Sequence, residues 1–126
     1  MTALILDAGA LIAVDRNDRT QLARLHAARR EGIELRTNPN ALAQAWRDGA
    51  RQAQLSRLLP ALDIAPMSEE HGRKVGELLR RSRTADVVDA SIVLLAHPGD
   101  VILTSDPDDI AHLANFTRRR VRVTAC

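Results

Sequence analysis

Cysteine, aromatic side chains and long apolar runs are scarce in this sequence of 126 residues. The single cysteine, Cys126, excludes an intrachain disulfide, and the four dispersed histidines lack the spacing of a zinc site. No apolar run approaches the roughly 20 residues that cross a membrane, and the N-terminus lacks the pattern of a signal peptide. These absences predict a cytoplasmic protein that folds without disulfides or structural zinc and contacts no membrane.

Lysine is also nearly absent, because Lys74 is the only one and the other basic residues are arginines. Arginine binds phosphate through two parallel hydrogen bonds, which suits a nucleic-acid partner, but a GC-rich genome gives the same bias. Trp46 and Phe116 are the only members of the Phe, Trp and Tyr group. Their scarcity argues against an extended stacking platform for single-stranded RNA.

Short strand-like runs alternate with helical segments along the whole chain. Strands are predicted over residues 3–6, 33–36, 62–65, 101–104 and 121–124. The intervening helices begin at capping residues such as Asn38, which precedes Pro39, and Ser68, which precedes two glutamates. This alternation predicts the α/β class, with one three-layer α/β/α domain over residues 1–126 and a central, mainly parallel sheet.

Local signals also predict particular helix boundaries and faces. A helix that carries Leu42 and Trp46 on one face is expected to stop at Gly49, with the indole in the core. Thr84 is expected to cap a helix over residues 85–96. His71 is expected on the apolar stripe of the helix before that one.

Acidic residues collect where predicted strands end and helices begin. These residues are Asp7, Asp86, Asp89, Asp106, Asp108 and Asp109. Because the carboxyl ends of parallel strands share one edge of a sheet, where ligands bind, we expect these carboxylates to gather there. Two unit charges about 4 Å apart repel by roughly 4 kcal/mol at an effective dielectric near 20 unless a cation lies between them. Oxygen ligands suit Mg²⁺ or Mn²⁺, so the pattern predicts a metal-dependent phosphoryl-transfer site.

Simpler roles remain open for most of these aspartates. Asp7, Asp86 and Asp106 each stand where a side chain could cap a helix or favour its dipole. Asp89 differs because it lies among apolar neighbours, where an unpaired carboxylate is costly and a cation is its natural partner. One aspartate of the pair 108–109 is expected only to face solvent in the first helical turn.

Three segments resemble PIN domains. Residues 4–13 are similar to the opening of these domains, in which a strand delivers an aspartate and a turn of small residues leads into a helix. Residues 86–93 resemble their later acidic helix, and residues 103–110 resemble the strand end at which the family has a Thr-Ser-Asp or Thr-Arg-Asp sequence. Element order and length match over essentially the whole chain, most closely in the VapC-type toxins of bacterial toxin–antitoxin pairs. The resemblance implies a Mg²⁺- or Mn²⁺-dependent endoribonuclease that forms a homodimer and is held inactive by a cognate VapB-type antitoxin.

The resemblance also implies roles for individual side chains. The implied catalytic residues are Asp7, Asp89 and Asp106, and the implied metal ligands are these three with Asp86. Supporting roles are implied for Gln44, Thr104, Ser105 and Asp108. Two basic clusters flank these positions in sequence and are expected to follow an RNA backbone, although both also suit a solvated face. The clusters are Arg47 with Arg51, and Arg80 with Arg81 and Arg83.

One position departs from the family pattern. PIN domains usually place a glutamate in the helix after the second strand, where Gln44 stands here. An amide oxygen still binds a cation or orients water, but one negative charge is missing, so cation affinity should fall. Two functions therefore stay open: an endoribonuclease, and a module that binds RNA or its antitoxin without cleavage. An aspartyl-phosphate mechanism is disfavoured, because Gly9 stands where a phosphatase needs a second acid and Lys74 lies mid-helix.

Overall fold

The computed structural model describes residues 2–126. Its five strands are β1 Ala3–Leu6, β2 Glu34–Thr37, β3 Leu62–Ile64, β4 Val101–Thr104 and β5 Arg122–Ala125. Its seven α-helices are α1 Ala8–Asp15, α2 Arg19–Arg30, α3 Pro39–Ala45, α4 Ala53–Leu58, α5 Glu69–Ser82, α6 Val87–Leu95 and α7 Pro107–Ala114. Short 3₁₀ turns at Gly49–Arg51 and Leu59–Ala61 flank α4.

The strands form one sheet in the order β3-β2-β1-β4-β5, and every neighbouring pair is parallel. The chain builds outward from β1 to β3, then returns to lay β4 against the free edge of β1. That reversal makes the gap beyond the carboxyl ends of β1 and β4 the topological switch point, where open α/β sheets bind their ligands. The register places Leu6 opposite Leu103, so the residues after these strands emerge side by side.

The core explains why the two central strands are apolar throughout. Ile5 and Leu6 point to opposite faces of β1, and both are completely buried. Ile102 and Leu103 repeat this pattern on β4. Burial of alternate side chains on both faces requires helices on both sides of the sheet, as all-parallel sheets have. The predicted α/β fold with a central, mainly parallel sheet is confirmed.

All strand boundaries agree with the prediction to within one residue, but several helix boundaries do not. The helix α3 stops at Ala45 rather than Gly49, because the backbone of Trp46 is extended and no longer helical. The side chain of Gln52 supplies hydrogen-bond partners to the backbone that follows. Gln52 donates to the Ala45 carbonyl and accepts the N–H groups of the two residues after Trp46. Trp46 is only partly buried against the core.

The cap predicted at Thr84 is also wrong, because Asp86 caps α6 and the Thr84 hydroxyl pairs with Ser82 instead. His71 is exposed and closes a capping box with Ser68, rather than joining the apolar stripe of α5. A helix start offers several side chains the same free N–H groups, and sequence alone does not decide which one takes them. Within residues 2–126, none of the helices is long and apolar enough to cross a membrane.

Candidate functional site

Asp7 lies at the switch point, directly after β1. Its backbone N–H donates to the Leu103 carbonyl of β4 at 3.0 Å, which ties the two strand ends together. One carboxylate oxygen, Oδ1, accepts the Ala8 N–H at 2.7 Å and caps α1. The other, Oδ2, accepts the Thr104 hydroxyl at 2.7 Å. Asp7 is therefore both a helix cap and a buried carboxylate held in one orientation by two donors.

Thr104 links Asp7 to Asp106. The Thr104 oxygen accepts the Asp106 N–H at 3.0 Å while its hydroxyl donates to Asp7, so three residues form one hydrogen-bonded chain. Asp106 precedes α7, but its side chain makes no capping bond there. The simple capping role that the sequence left open for Asp106 is therefore not the one it takes. Its carboxylate is exposed after the end of β4 and accepts no hydrogen bond from a described residue.

Asp86 and Asp89 meet at the start of α6. Asp86 is the N-cap, and its Oδ1 accepts the Asp89 N–H at 2.9 Å. Asp89 is only 7 % exposed, although its carboxylate has no hydrogen-bond donor among the side chains and backbone of residues 2–126. Its oxygens keep some contact with solvent, because the fully buried side-chain oxygens that lack a partner among the described residues belong to Asp15 and Gln21. A carboxylate that is mostly removed from water and has no protein donor is costly to keep ionised.

These carboxylates are close enough to change one another's pKa values. Burial raises the pKa of Asp89 from its ordinary 3.8 to about 7, and the neighbouring carboxylates add to the rise. Those neighbours are Asp7, Asp86, Asp106 and Asp109. Burial also raises the pKa of Asp7, while the hydrogen bonds from Thr104 and Ala8 lower it. Perturbed carboxylates in a cleft are typical of functional sites.

Asp109 belongs to this group, although the sequence interpretation gave Asp108 the supporting role. A cavity of about 150 Å³ is lined by Asp86, Asp89, Asp109, His112 and neighbouring residues of the α5–α6 connection. Asp108 is exposed and does not line it. The sequence could have indicated Asp109 rather than Asp108, because residues 106 and 109 are three apart and lie on the same side of α7, whereas residue 108 does not.

Two of the other supporting candidates, Gln44 and Ser105, are exposed. Gln44 is exposed on α3, a helix that packs against α1 and α6, and forms no hydrogen bond with a described residue. Ser105 is exposed between Thr104 and Asp106 and touches Gly9 at the start of α1. Position 44 therefore carries a neutral, exposed side chain on a helix that contacts both α1 and α6.

The two arginine clusters differ in whether their side chains already have hydrogen-bond or ionic partners. Arg47 donates to the Ala43 and Trp46 carbonyls and closes the end of α3, so much of its hydrogen-bonding capacity is used locally. Arg51 forms an ion pair with Asp48 at 3.7 Å. The remaining cluster is exposed at the end of α5 and forms no ion pair with a described residue. Its members are Arg80, Arg81 and Arg83.

The donor set fits a hard divalent cation in a particular way. All donors are oxygens, and Asp89 presents a carboxylate that lacks a partner. Residues 2–126 contain no cluster of three His, Cys, Asp or Glu side chains close enough to enclose a metal ion. Mg²⁺ needs no such cage, because it usually keeps several waters and binds one or two carboxylates together with substrate phosphates.

Comparisons with known proteins bear on the fold alone. No protein-family model and no curated protein matches this sequence. Among solved structures, a chain of the crystal structure of VapBC2 from Rickettsia felis bound to a DNA fragment from their promoter matches with a TM-score of 0.70. The match covers 99 % of each chain at 12 % sequence identity. It confirms the fold class and agrees with a PIN-like arrangement.

Proposed function

We propose that this protein is a Mg²⁺- or Mn²⁺-dependent endoribonuclease, the toxin component of a toxin–antitoxin pair. The observation that carries the proposal is Asp89, a residue only 7 % exposed whose carboxylate accepts no hydrogen bond from a described residue and lies among further carboxylates at the switch point of the sheet. A positive partner stabilises the ionised form of such a group, and the edge of an open parallel sheet is where α/β proteins place their ligands. The fold shared with a chain of a VapBC2 complex supports the same conclusion.

In this proposal Asp7 and Asp89 hold the cation. Asp7 is oriented by the Thr104 hydroxyl and the Ala8 N–H, so its carboxylate needs no rearrangement to bind. Asp106, with Asp86 or Asp109, orients the attacking water or holds a second ion. When bound, Mg²⁺ or Mn²⁺ neutralises phosphate charge and lowers the pKa of water. Water then adds across one P–O bond of the RNA backbone, and the leaving oxygen takes a proton.

The free arginines at the end of α5 bind the RNA backbone in this proposal. Arg80, Arg81 and Arg83 form no ion pair with any of residues 2–126 and lie next in sequence to the connection that lines the acidic cavity. A guanidinium group binds a phosphate through two hydrogen bonds, so these side chains offset the repulsion between RNA and the carboxylates. Arg47 and Arg51 contribute less, because each already has a local partner.

A protein partner belongs to the proposal as well. The VapBC2 structure is a complex, and we propose by analogy that a VapB-type antitoxin binds this chain and blocks the acidic edge. A homodimer is proposed on the PIN-like resemblance. A second function is favoured by Gln44: with a neutral side chain on α3, the protein could bind RNA or its antitoxin and cleave nothing.

RNA cleavage separates the two functions. The purified chain, incubated with a structured RNA, is expected to cut it in Mg²⁺ or Mn²⁺ and to stop in EDTA. Asp7→Asn removes one ligand charge but keeps the acceptor for Ala8, so it is expected to lose cleavage while remaining folded. Glu77→Gln removes an exposed charge on α5 and serves as the matched control. Equal cleavage by wild type and Asp7→Asn would refute the nuclease proposal.

Gln44→Glu is expected to tighten Mn²⁺ binding by about fivefold. One more unit charge near a partly solvated cation contributes on the order of 1 kcal/mol at an effective dielectric near that of a protein surface. Calorimetry with Mn²⁺ measures the change. Gln54→Glu on α4 adds the same charge away from the acidic cavity and is expected to leave Mn²⁺ affinity unaltered. Equal affinities for wild type and Gln44→Glu would remove Gln44 from the site.

A further inference from the structure

The connection between α5 and α6, residues 83–86, is held more firmly than a surface turn requires. Both the Arg83 and Thr84 N–H groups donate to the Leu79 carbonyl, the latter at 3.2 Å. The Ser82 and Thr84 hydroxyl oxygens lie 2.8 Å apart, within hydrogen-bonding distance. Four residues therefore pass from the end of α5 to the Asp86 cap in one defined conformation. We call residues 83–86 the α5–α6 turn.

Arg83 adopts a backbone conformation that usually belongs to glycine. Its φ is 57° and its ψ is 42°, the left-handed region in which helices commonly end. A long side chain is strained there, and only Asn17 shares this property among the described non-glycine residues. Strained residues persist where the surrounding structure holds them, and they collect at functional sites. The turn therefore keeps an arginine where glycine would be less strained.

His112, on α7, contacts the last residue of α5, directly before the α5–α6 turn. Its Nε2 lies 3.0 Å from the Ser82 carbonyl oxygen, and because a carbonyl only accepts, Nε2 carries the proton. The imidazole also meets Phe116 edge to face, with ring centroids 5.2 Å apart. One turn earlier on α7 stands Asp109, which lines the same cavity with His112 and Asp86. The bond thus fixes α5, α7 and the turn around one cavity.

We propose that His112 is a positioning residue for RNA binding. By donating Nε2–H to the Ser82 carbonyl, it holds the α5–α6 turn so that Arg83 presents its guanidinium to a backbone phosphate of RNA bound at the acidic cavity. This inference rests on the proposed RNA-directed function and deepens it. Arg83 is exposed and without an ionic partner among the described residues, so its fork is available for phosphate.

A purely structural role for His112 predicts something different. The Ser82 carbonyl lies at a helix end, where carbonyl groups have no donor within the helix. A histidine that only supplies this missing donor would stabilise α5 but would not affect how Arg83 binds RNA. Loss of the bond would then affect stability and RNA binding independently of the side chain at position 83. The two roles are separated by whether the effects of changing residues 83 and 112 are additive.

A double-mutant cycle provides the test. His112→Phe keeps the ring but removes the donor, and His112→Gln keeps an N–H near the Nε2 position. The Kd of a fluorescent RNA hairpin is measured by anisotropy in EDTA, so that no metal-dependent cleavage takes place. Arg83→Gln is expected to weaken binding by roughly tenfold, the size of one charge-assisted contact, and to lower the salt dependence by about one phosphate contact. His112→Phe is expected to weaken binding by a smaller factor.

The expected result is that the double variant binds no more weakly than Arg83→Gln alone, while His112→Gln binds like wild type. Hydrogen exchange of the Thr84 amide is expected to be faster in His112→Phe than in wild type. This measurement detects the effect of the His112–Ser82 hydrogen bond on the turn without any RNA. Additive losses, or unaltered exchange at Thr84 in the folded variant, would overturn the inference. If wild type binds RNA and the losses of affinity are non-additive, but no RNA is cleaved, the nuclease proposal fails and the positioning role stands. If wild type cleaves RNA and the losses of affinity are additive, only the positioning role fails.

Discussion

Asp89→Asn is expected to stabilise the metal-free protein at pH 8 and, in the same molecule, to abolish RNA cleavage. The stabilisation follows from the raised pKa of Asp89, about 7 in the fold against an ordinary 3.8. Because 1.36 kcal/mol corresponds to each unit between two pKa values, keeping Asp89 ionised costs the fold about 4 kcal/mol at most. A neutral amide of the same shape avoids that cost.

The pH dependence has a definite sign. Near pH 4 and below, Asp89 is neutral in the folded state and increasingly neutral in the unfolded state, so it contributes little. Between about pH 4 and 7 the folded protein binds a proton that the unfolded chain releases, so the stability of the wild type falls as pH rises. Above pH 7 the full cost of ionisation is present. The gain from Asp89→Asn should therefore grow across that window and level off above it.

Urea unfolding in EDTA at pH 5, 6, 7 and 8 measures this gain. Glu77→Gln, an exposed site on α5, is expected to give a small difference from wild type that varies little with pH. Mn²⁺ is expected to stabilise the wild type and to do far less for Asp89→Asn, because a cation supplies the missing partner. A gain of the same size at pH 5 and pH 8 would contradict the burial argument.

The loss of cleavage is the other half of this prediction. Removing a residue that only supports a metal ligand typically costs 10- to 100-fold, so removing the carboxylate itself is expected to cost more than about 100-fold. A variant that is more stable and less active separates a functional charge from a structural one. If Asp89→Asn were both less stable and inactive, the carboxylate would have a structural partner that the fold does not display.

The fold was predictable because the sequence patterns that indicate it extend over whole strands and do not depend on single residues. The apolar runs of β1 and β4 predict central strands whichever neighbours they acquire, and both are buried on two faces. The proximity of Asp7 and Asp106 followed from one geometric property, that the parallel strands β1 and β4 end at a common edge. Predictions of this kind tolerate errors of one or two residues at each boundary.

Hydrogen-bond partners were not predictable, because several residues compete for each free group. Thr84 and Asp86 both suit a helix start, and the choice depends on Ser82, which takes the Thr84 hydroxyl. Asp106 suits a cap but leaves that bond unmade, while Thr104 takes its N–H. Local chemistry defines the candidates, and the three-dimensional arrangement of neighbouring side chains selects among them. The candidate site was therefore predictable as a region, and its internal connections were not.

Gly9→Ala is expected to destabilise the protein by about 2–3 kcal/mol, the upper part of the range for overpacked cores. Gly9 lies in α1 two residues after Asp7, where the helix passes against the end of β4. A Cβ there would lie 2.6 Å from the Ser105 Cβ and 2.9 Å from the Ser105 backbone nitrogen, closer than such atoms approach. A flexible side chain could turn away, but the Ser105 backbone cannot, so α1 or the end of β4 must move.

The opposite sign is expected at Gly72 and Gly76 of α5. Apart from the adjoining residues and the backbone of α5 itself, no described atom lies within 4 Å of a Cβ added at either position, and alanine in a helix interior is more stable than glycine by about 0.5–1 kcal/mol. Urea unfolding of the three alanine variants therefore compares the same chemical change in crowded and open surroundings. Equal effects at Gly9 and Gly76 would show that the approach of α1 to Ser105 is not a packing constraint.

The same substitution reaches the candidate site, because Ser105 connects Thr104 to Asp106. Displacing Ser105 disturbs the hydrogen bonds from Asp106 N–H to Thr104 and from Thr104 to Asp7, which orient the Asp7 carboxylate. Gly9→Ala is therefore expected to lower cleavage more than its loss of stability accounts for, when both are measured well below the unfolding temperature. Adding Ser105→Gly removes the side-chain part of the clash and is expected to restore part of both properties. Recovery of stability without cleavage would instead assign Ser105 a direct contact with the RNA.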